Sequence, residues 1–241
     1  MPKVKYDVIY KDLKRKIETE EYHFQQFLPS ENTLVLEYSC SRNTVRRAIS
    51  ELVKEGYVQS IQGKGVLNIF QPVEQSTFKM GKIESFKESA IRNHQKYFTK
   101  VVHFESIQAN KKIEKKTGFQ EGTELIYIQR IHYFDKKPLI VNHNYFLKEL
   151  MPQLSREIAQ NSIYEYIENT LGITIVTSKR IMTVEKMNQI DMQYINLEEY
   201  NCLAVVSSFT YNSEGILFEY TQSRHHPEYF KFVDIATRRN D

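Results

Sequence analysis

Cysteine is almost missing from this chain. Its 241 residues include only Cys40 and Cys202, far apart, with no C-x-x-C pair and no histidine at ligand spacing. That argues against a disulfide framework and against a zinc or other metal site. Long apolar runs are missing too: no stretch approaches the ~18 continuous apolar residues of a membrane helix. Met1-Pro2-Lys3 leads directly into an amphipathic segment without a signal-type apolar run, so a cytoplasmic protein with no membrane partner is expected. An excess of one charge is also lacking. The formal net charge is +3, which rules out a general polyanion coat and requires any nucleic-acid surface to be local. There is no internal repeat and no low-complexity segment.

What is present begins with arranged charge. Residues 1–70 carry eleven Lys/Arg against nine Asp/Glu, but from Ser39 to Gly65 the count is five against two. Within that window lies Ser41-Arg42-Asn43-Thr44-Val45-Arg46-Arg47. A helix capped by Ser41 places its arginines on the first turns, while Val45, Ala48, Ile49, Leu52 and Val53 recur at helical spacing behind them. Gly56 is its stop. Upstream, Ile9, Leu13 and Ile17 mark a first amphipathic helix over Tyr6–Tyr22. Pro29 then breaks the chain, and Ser30 caps a second helix through Leu34, Leu36 and Tyr38. Only Ser39 and Cys40 separate it from the third, a helix-turn-helix connection. Downstream, Tyr57–Ile61 and Val66–Ile69 flank Gln62-Gly63-Lys64-Gly65 as a hairpin wing.

Three helices and a wing, carried by Leu28-Pro29-Ser30-Glu31, Ser41 through Ile49, Leu52, Glu55-Gly56-Tyr57 and Gly63-Lys64-Gly65, resemble the winged helix-turn-helix of the GntR family of bacterial transcription regulators. The resemblance implies that Ser41, Arg42, Thr44 and Arg46 approach DNA and that the Gly63-Lys64-Gly65 tip enters the minor groove. The candidate DNA-binding set is Ser30, Ser41, Arg42, Asn43, Thr44, Arg46, Arg47, Gly63, Lys64 and Gly65. Arg42 and Arg46 are the leading candidates for base reading. Asn32 departs from the basic residue that many members carry after the Ser-Glu pair. One wing and one helix make a small footprint, so a homodimer on a near-palindromic duplex operator is expected.

The pattern changes after Gln71-Pro72-Val73-Glu74-Gln75-Ser76-Thr77, a polar, proline-broken junction. Three segments are therefore expected: 1–70 as a DNA-binding domain, 71–77 as a linker and 78–241 as an effector-binding and dimerisation domain. The last carries β-prone runs at Lys100–Gln108, Leu125–Phe134, Leu139–Tyr145, Lys179–Glu185, Leu203–Tyr211, Ile216–Arg224 and Phe230–Ile235. Asp135–Pro138 and Asn212–Gly215 read as hairpin turns, which points to an α+β domain with a largely antiparallel sheet. Ser162–Glu165 reads as a capping box opening a helix through Leu171, with Gly172 as its stop. This half shows no H-E-x-x-H, G-x-S-x-G, Walker or Rossmann pattern, and its histidines stand apart from paired carboxylates. Neither catalytic residues nor a cofactor are called for.

Gly81–Glu88, Gln129-Arg130-Ile131-His132, Asn161–Tyr164, Glu219-Tyr220-Thr221 and Phe232-Val233-Asp234 resemble the UTRA domain, the effector-sensing half of the HutC-type branch of GntR regulators, related in fold to chorismate lyase. The resemblance implies that a loop at Ser85-Phe86-Lys87, with Arg130 and Ser162, holds a phosphate. Glu219 and His225 would then meet sugar hydroxyls. His132 stands where relatives often have a second arginine and is read either as a ligand contact or as a core histidine. Ser162 can also be only a cap. Asn161–Glu168, Tyr220–His225 and Phe230–Arg239 look like the trehalose-responsive members. That likeness implies trehalose 6-phosphate as effector, its rings lying on Phe86, Tyr133 or Tyr220. Two alternatives stay open: another small anion, such as an amino-sugar phosphate or an amino-acid-derived ligand, and an enzyme of the chorismate-lyase type fused to a DNA-binding module.

Overall fold

The four-residue spacing of Ile9, Leu13 and Ile17 produces the first helix, α1 (Lys5–Glu18), in a computed structural model that describes residues 5–72, 77–79, 83–197 and 199–233. It stops at Glu18 rather than Tyr22, because the following turn takes Glu20 into the left-handed region at φ 59°. Two units are distinguished, one reaching Glu74 and one spanning Gln75–Val233. The division falls inside the expected 71–77 junction, of which residues 73–76 lie outside the described residues. Gly81, Lys82 and residues 234–241, which carry part of the family resemblance, also lie outside them.

In the first unit, α2 (Glu31–Glu37) and α3 (Arg42–Lys54) open on the expected serines. Ser30 and Ser41 each accept from the backbone N–H of the threonine three residues on, at 3.2 Å. Each serine hydroxyl also shares a 2.8 Å bond with that threonine's hydroxyl. Val45, Ala48, Ile49 and Leu52 bury against Ile9, Leu13, Ile17 and Leu34, while Leu36 stays in solvent at 80% exposure. The wing is β1 (Val58–Ile61) against β2 (Gly65–Asn68). Gly63 and Gly65 take φ of 74° and 120°, values that disfavour any side chain. Phe27 bridges to Leu67, and Leu28 N–H donates to Val66 O at 2.8 Å, which ties the chain before α2 to the edge of the wing, a contact unannounced by the sequence. Asn68 is 1% exposed and donates through Nδ2 to the carbonyls of Tyr22 and His23 at 2.8 and 3.0 Å.

The second unit runs β3 (Thr77–Lys79), α4 (Phe86–Arg92), β4 (Tyr97–Gln108), α5 (Lys111–Thr117), β5 (Glu124–Phe134), β6 (Lys137–Leu147), α6 (Arg156–Gln160), α7 (Ile163–Glu165), β7 (Ile175–Lys186), α8 (Gln189–Tyr194), β8 (Cys202–Asn212), β9 (Leu217–His225) and β10 (Lys231–Val233). Six of the expected β-runs form one antiparallel sheet in the order β4-β5-β6-β9-β8-β7. The β5–β6 hairpin turns at Asp135 and Lys136, both left-handed at φ 45° and 69°, as a two-residue turn of matching twist requires. The run expected at 230–235 leaves this sheet. As β10 it pairs in parallel with β3, Phe232 opposite Phe78, a pairing between distant segments that has no local turn signal to announce it. The helix expected from Ser162 to Leu171 is also corrected: one α-turn is followed by a π-helical turn, Tyr166–Thr170.

The sheet is apolar on both faces but not along its whole length. Ile126, Ile128, Phe146 and Phe218 pack against Ile163 and Ile167. On the reverse, Ile131, Val141, Leu203 and Val205 pack against Ile195 and Leu197 beyond α8. There Arg224, 2% exposed, donates from Nε to both oxygens of the fully buried Asp191 at 2.9 and 3.0 Å, and it also reaches Glu185. Asp191 in turn closes a capping box on the backbone of Asn188. Removing one side of a buried pair strands the other charge, whereas replacing both is far milder. Asp191→Ala is therefore expected to cost about 3–5 kcal/mol in urea unfolding. The double variant Asp191→Leu/Arg224→Met should cost less than that single change.

Candidate functional site

Two surfaces collect the residues singled out by the sequence. On the first unit, Arg42, Asn43, Arg46 and Arg47 are all exposed on the opening turns of α3. Arg46 Nε is paired with Glu31 at 2.9 Å. The Arg47 guanidinium lies 3.9 Å from the Tyr6 ring centroid, a cation–π contact. Ser30 and Ser41 serve as caps, so their oxygens are already engaged. Lys64 is exposed between the two left-handed glycines at the wing tip.

On the second unit, Ser85, Phe86, Lys87, Arg130, His132, Ser162, Glu219 and His225 all line one cavity of about 140 Å³, room for on the order of ten waters. Strand alternation explains the convergence: residues two apart share a face. Arg130 and His132 on β5, Asn142 and Asn144 on β6, and Glu219, Thr221, Ser223 and His225 on β9 therefore point the same way. Cross-strand partners extend the row, with Arg180 opposite Ser208, Ser208 opposite Thr221, and Thr221 opposite Asn144. The same alternation corrects the aromatic expectation. Tyr133 and Tyr220 lie on the reverse face, where Tyr133 stacks on Phe98 at 4.2 Å and Tyr220 packs against Phe209 and Tyr145. Phe86 alone of the three faces the cavity, 4.1 Å from the His132 ring.

A polar chain crosses the floor. Arg130 Nε donates to Asn144 Oδ1 (2.9 Å), Asn144 Nδ2 to Thr221 Oγ1 (2.6 Å), Thr221 to Glu219 Oε1 (2.7 Å), and the Tyr164 hydroxyl to Glu219 Oε2 (2.9 Å). Burial pulls the Arg130 guanidinium down to about 10 and raises the Glu219 carboxyl, against which the bonds from Thr221 and Tyr164 act. Burial also lifts the Tyr164 hydroxyl well above its ordinary range. His132 has both ring nitrogens occupied, by Thr99 at 2.8 Å and Asn142 at 2.9 Å. Burial, then the nearby Arg130 charge, lowers it well below 6.5. Core residue and cavity wall are thus the same histidine.

Ser85-Phe86-Lys87 is not a loop: Ser85 caps α4 and Glu88 completes a full capping box there. At Ser162 only half of the expected box forms. Ser162 accepts from Glu165 N–H, but the Glu165 carboxylate turns away to Lys87, 2.7 Å distant. Arg180 and Asn144 were not singled out by the sequence, and Thr221 only as a member of the Glu219-Tyr220-Thr221 motif, with no role of its own. An arginine, an asparagine or a threonine inside a β-run carries no local mark, and only the register groups them.

Residues 5–67 match the family described as bacterial regulatory proteins of the gntR family, and residues 92–231 match the UTRA domain. The chain belongs to the GntR family, in its UTRA-bearing branch. It is 33% identical over 234 residues to the HTH-type transcriptional regulator TreR of Bacillus subtilis (strain 168), covering 97% of this chain and 98% of the relative. The effector-binding domain of the B. subtilis trehalose repressor superposes with a TM-score of 0.54 at 31% identity, covering 59% of this chain and 99% of that one. The possible transcriptional regulator YydK of B. subtilis shares the fold along 97% of this chain and 99% of its own, with a TM-score of 0.79 at 21% identity. As a GntR/UTRA protein the chain is a DNA-binding transcription regulator. No helix among the described residues is long and apolar enough to cross a membrane.

The buried histidines give the second unit a pH signature. Burial lowers His143 to about 4 and His225 to about 3, and His132 moves the same way. Unfolded, each would titrate near 6.5. Their contribution is complete above about 6.5 and is lost as pH falls toward the folded values, roughly 2 kcal/mol apiece at pH 5 for His143 and His225. Glu219, raised in the fold, opposes this slope. Urea midpoints should therefore drop between pH 7 and pH 5, and His143→Gln should flatten the decline.

Proposed function

We propose that this chain is a dimeric repressor of a trehalose-utilisation operon. Residues 1–70 bind a near-palindromic duplex operator, and a sugar phosphate, trehalose 6-phosphate, entering the cavity of 78–241 releases it, with 71–77 as the linker. The observation that carries this reading is the meeting, in one cavity, of eight residues from four separate stretches of sequence. Ser41, Arg42, Thr44 and Arg46 would approach DNA from α3, with Lys64 between Gly63 and Gly65 in the minor groove and Ser30, Asn43 and Arg47 alongside. The protein would work in the cytoplasm.

The cavity's chemistry suits a phosphorylated sugar. Arg130 offers a planar, charge-assisted pair of donors to a phosphate, and Lys87, Ser85 and Ser162 add donors at the same site. Arg180, on the adjoining wall, adds positive charge. The floor of Asn142, Asn144, Thr221, Ser223 and Ser208 offers amides and hydroxyls to a polyol, and Glu219 accepts from its hydroxyls. Binding rather than catalysis fits the lining carboxylates: Glu84 is held by Arg92, and both oxygens of Glu219 already accept hydrogen bonds. The B. subtilis repressor named for trehalose points to the same sugar.

Control needs the ligand to prefer the released arrangement by only about 1–3 kcal/mol. Operator affinity titrated with trehalose 6-phosphate should fall about 5–150-fold. Affinity unchanged at saturating ligand would remove the effector assignment. Arg130→Ala should bind operator normally and no longer respond to the phosphorylated sugar.

A further inference from the structure

The three arginines of α3 are held differently. Arg42 projects into solvent, Arg47 lies on the Tyr6 ring, and Arg46 is tied to Glu31, the first residue of α2. Its Nε donates to both Glu31 oxygens, at 3.1 and 2.9 Å. Among the described residues its two terminal nitrogens make no further bond. The arginine side chain remains 61% exposed, so the open end of its guanidinium is presented to solvent on the face that carries Arg42 and Asn43.

A carboxylate on a surface meant for phosphates is unfavourable by itself. Its presence is explained if it acts on the arginine. A free arginine samples many rotamers, and fixing it before the duplex arrives lowers the ordering cost of the complex. Gripping the guanidinium by Nε leaves Nη1 and Nη2 as a parallel donor pair. The major-groove edge that offers two acceptors to such a pair is O6 and N7 of guanine. We propose that Glu31 is a positioning residue for base reading: it sets Arg46 to select a G·C pair in each half-site. The proposal rests on the reading of Arg46 as a base contact, and the test separates the two.

The full-length protein, Arg46→Ala, Glu31→Ala, Glu31→Gln and the double variant Glu31→Ala/Arg46→Ala are each used to select duplexes from a pool with a randomised core, with thermal unfolding recorded for all. In the wild-type selection, one guanine per half-site should vanish with Arg46→Ala. Loss of no position would sink both the base contact and its positioning. Glu31→Ala should weaken the preference at that same position about tenfold, leave the other positions unchanged and add nothing in the Arg46→Ala background. Glu31→Gln, which keeps the shape and one acceptor, should fall between and carries the test should the alanine variant not fold. Tighter binding to all duplexes with the guanine preference intact would show that Glu31 only repels DNA, and would overturn the proposal. An unchanged selection with Glu31→Ala or Glu31→Gln would overturn it too.

Discussion

The two-residue period of the central sheet is the constraint from which the second unit follows. Because successive side chains alternate, β9 can give Glu219, Thr221, Ser223 and His225 to a polar cavity while Tyr220 and Arg224 belong to the packed reverse face. A slip of one residue in any pairing would exchange these sets. The register is accordingly pinned at several points: by the left-handed pair Asp135-Lys136 between β5 and β6, by Asn212, whose side chain accepts from Glu214 and Ile216 in the β8–β9 turn, and by Arg224 gripping Asp191 across the reverse face.

How far the sequence disclosed this depends on how local each signal is. The caps Ser30 and Ser41, the glycine turn of the wing and the six long strands were legible because a cap, a turn or a β-prone run is written in adjacent residues. The bridge from Phe27 to the wing and the β3–β10 pair were not, since each joins segments distant in the chain. The cavity was half legible. Family motifs marked eight of its residues, yet they could not separate Phe86 from Tyr133 and Tyr220, which differ only in which face of the sheet they occupy. Arg180 and Asn144 stayed hidden for the same reason. The π-helical turn after Glu165 has no cue in composition that we can identify.

The cavity also shows how a desolvated site keeps charge without collapsing into an ion pair. Arg130 and Glu219 are joined through Asn144 and Thr221, amide and hydroxyl links that fix both ends and leave each charged group facing the open volume. The cost appears as the shifts on Arg130, Glu219 and Tyr164, all caused first by burial. An incoming polar ligand supplies the solvation that the fold withholds, so its binding free energy includes relief of a penalty already present.

Asn68 has a similar role on a smaller scale. Its side chain ties the end of β2 to the carbonyls at Tyr22 and His23, and its Oδ1 accepts from Phe70 N–H at 2.9 Å, while Tyr57 and Phe70 stack at 4.5 Å beside it. The hairpin is therefore stitched to the segment that follows the first helix, and that helix shares its apolar face with α3. The wing and α3 are thus joined through one shared apolar core, so a load met at the glycine tip is carried to the helix that bears Arg42 and Arg46.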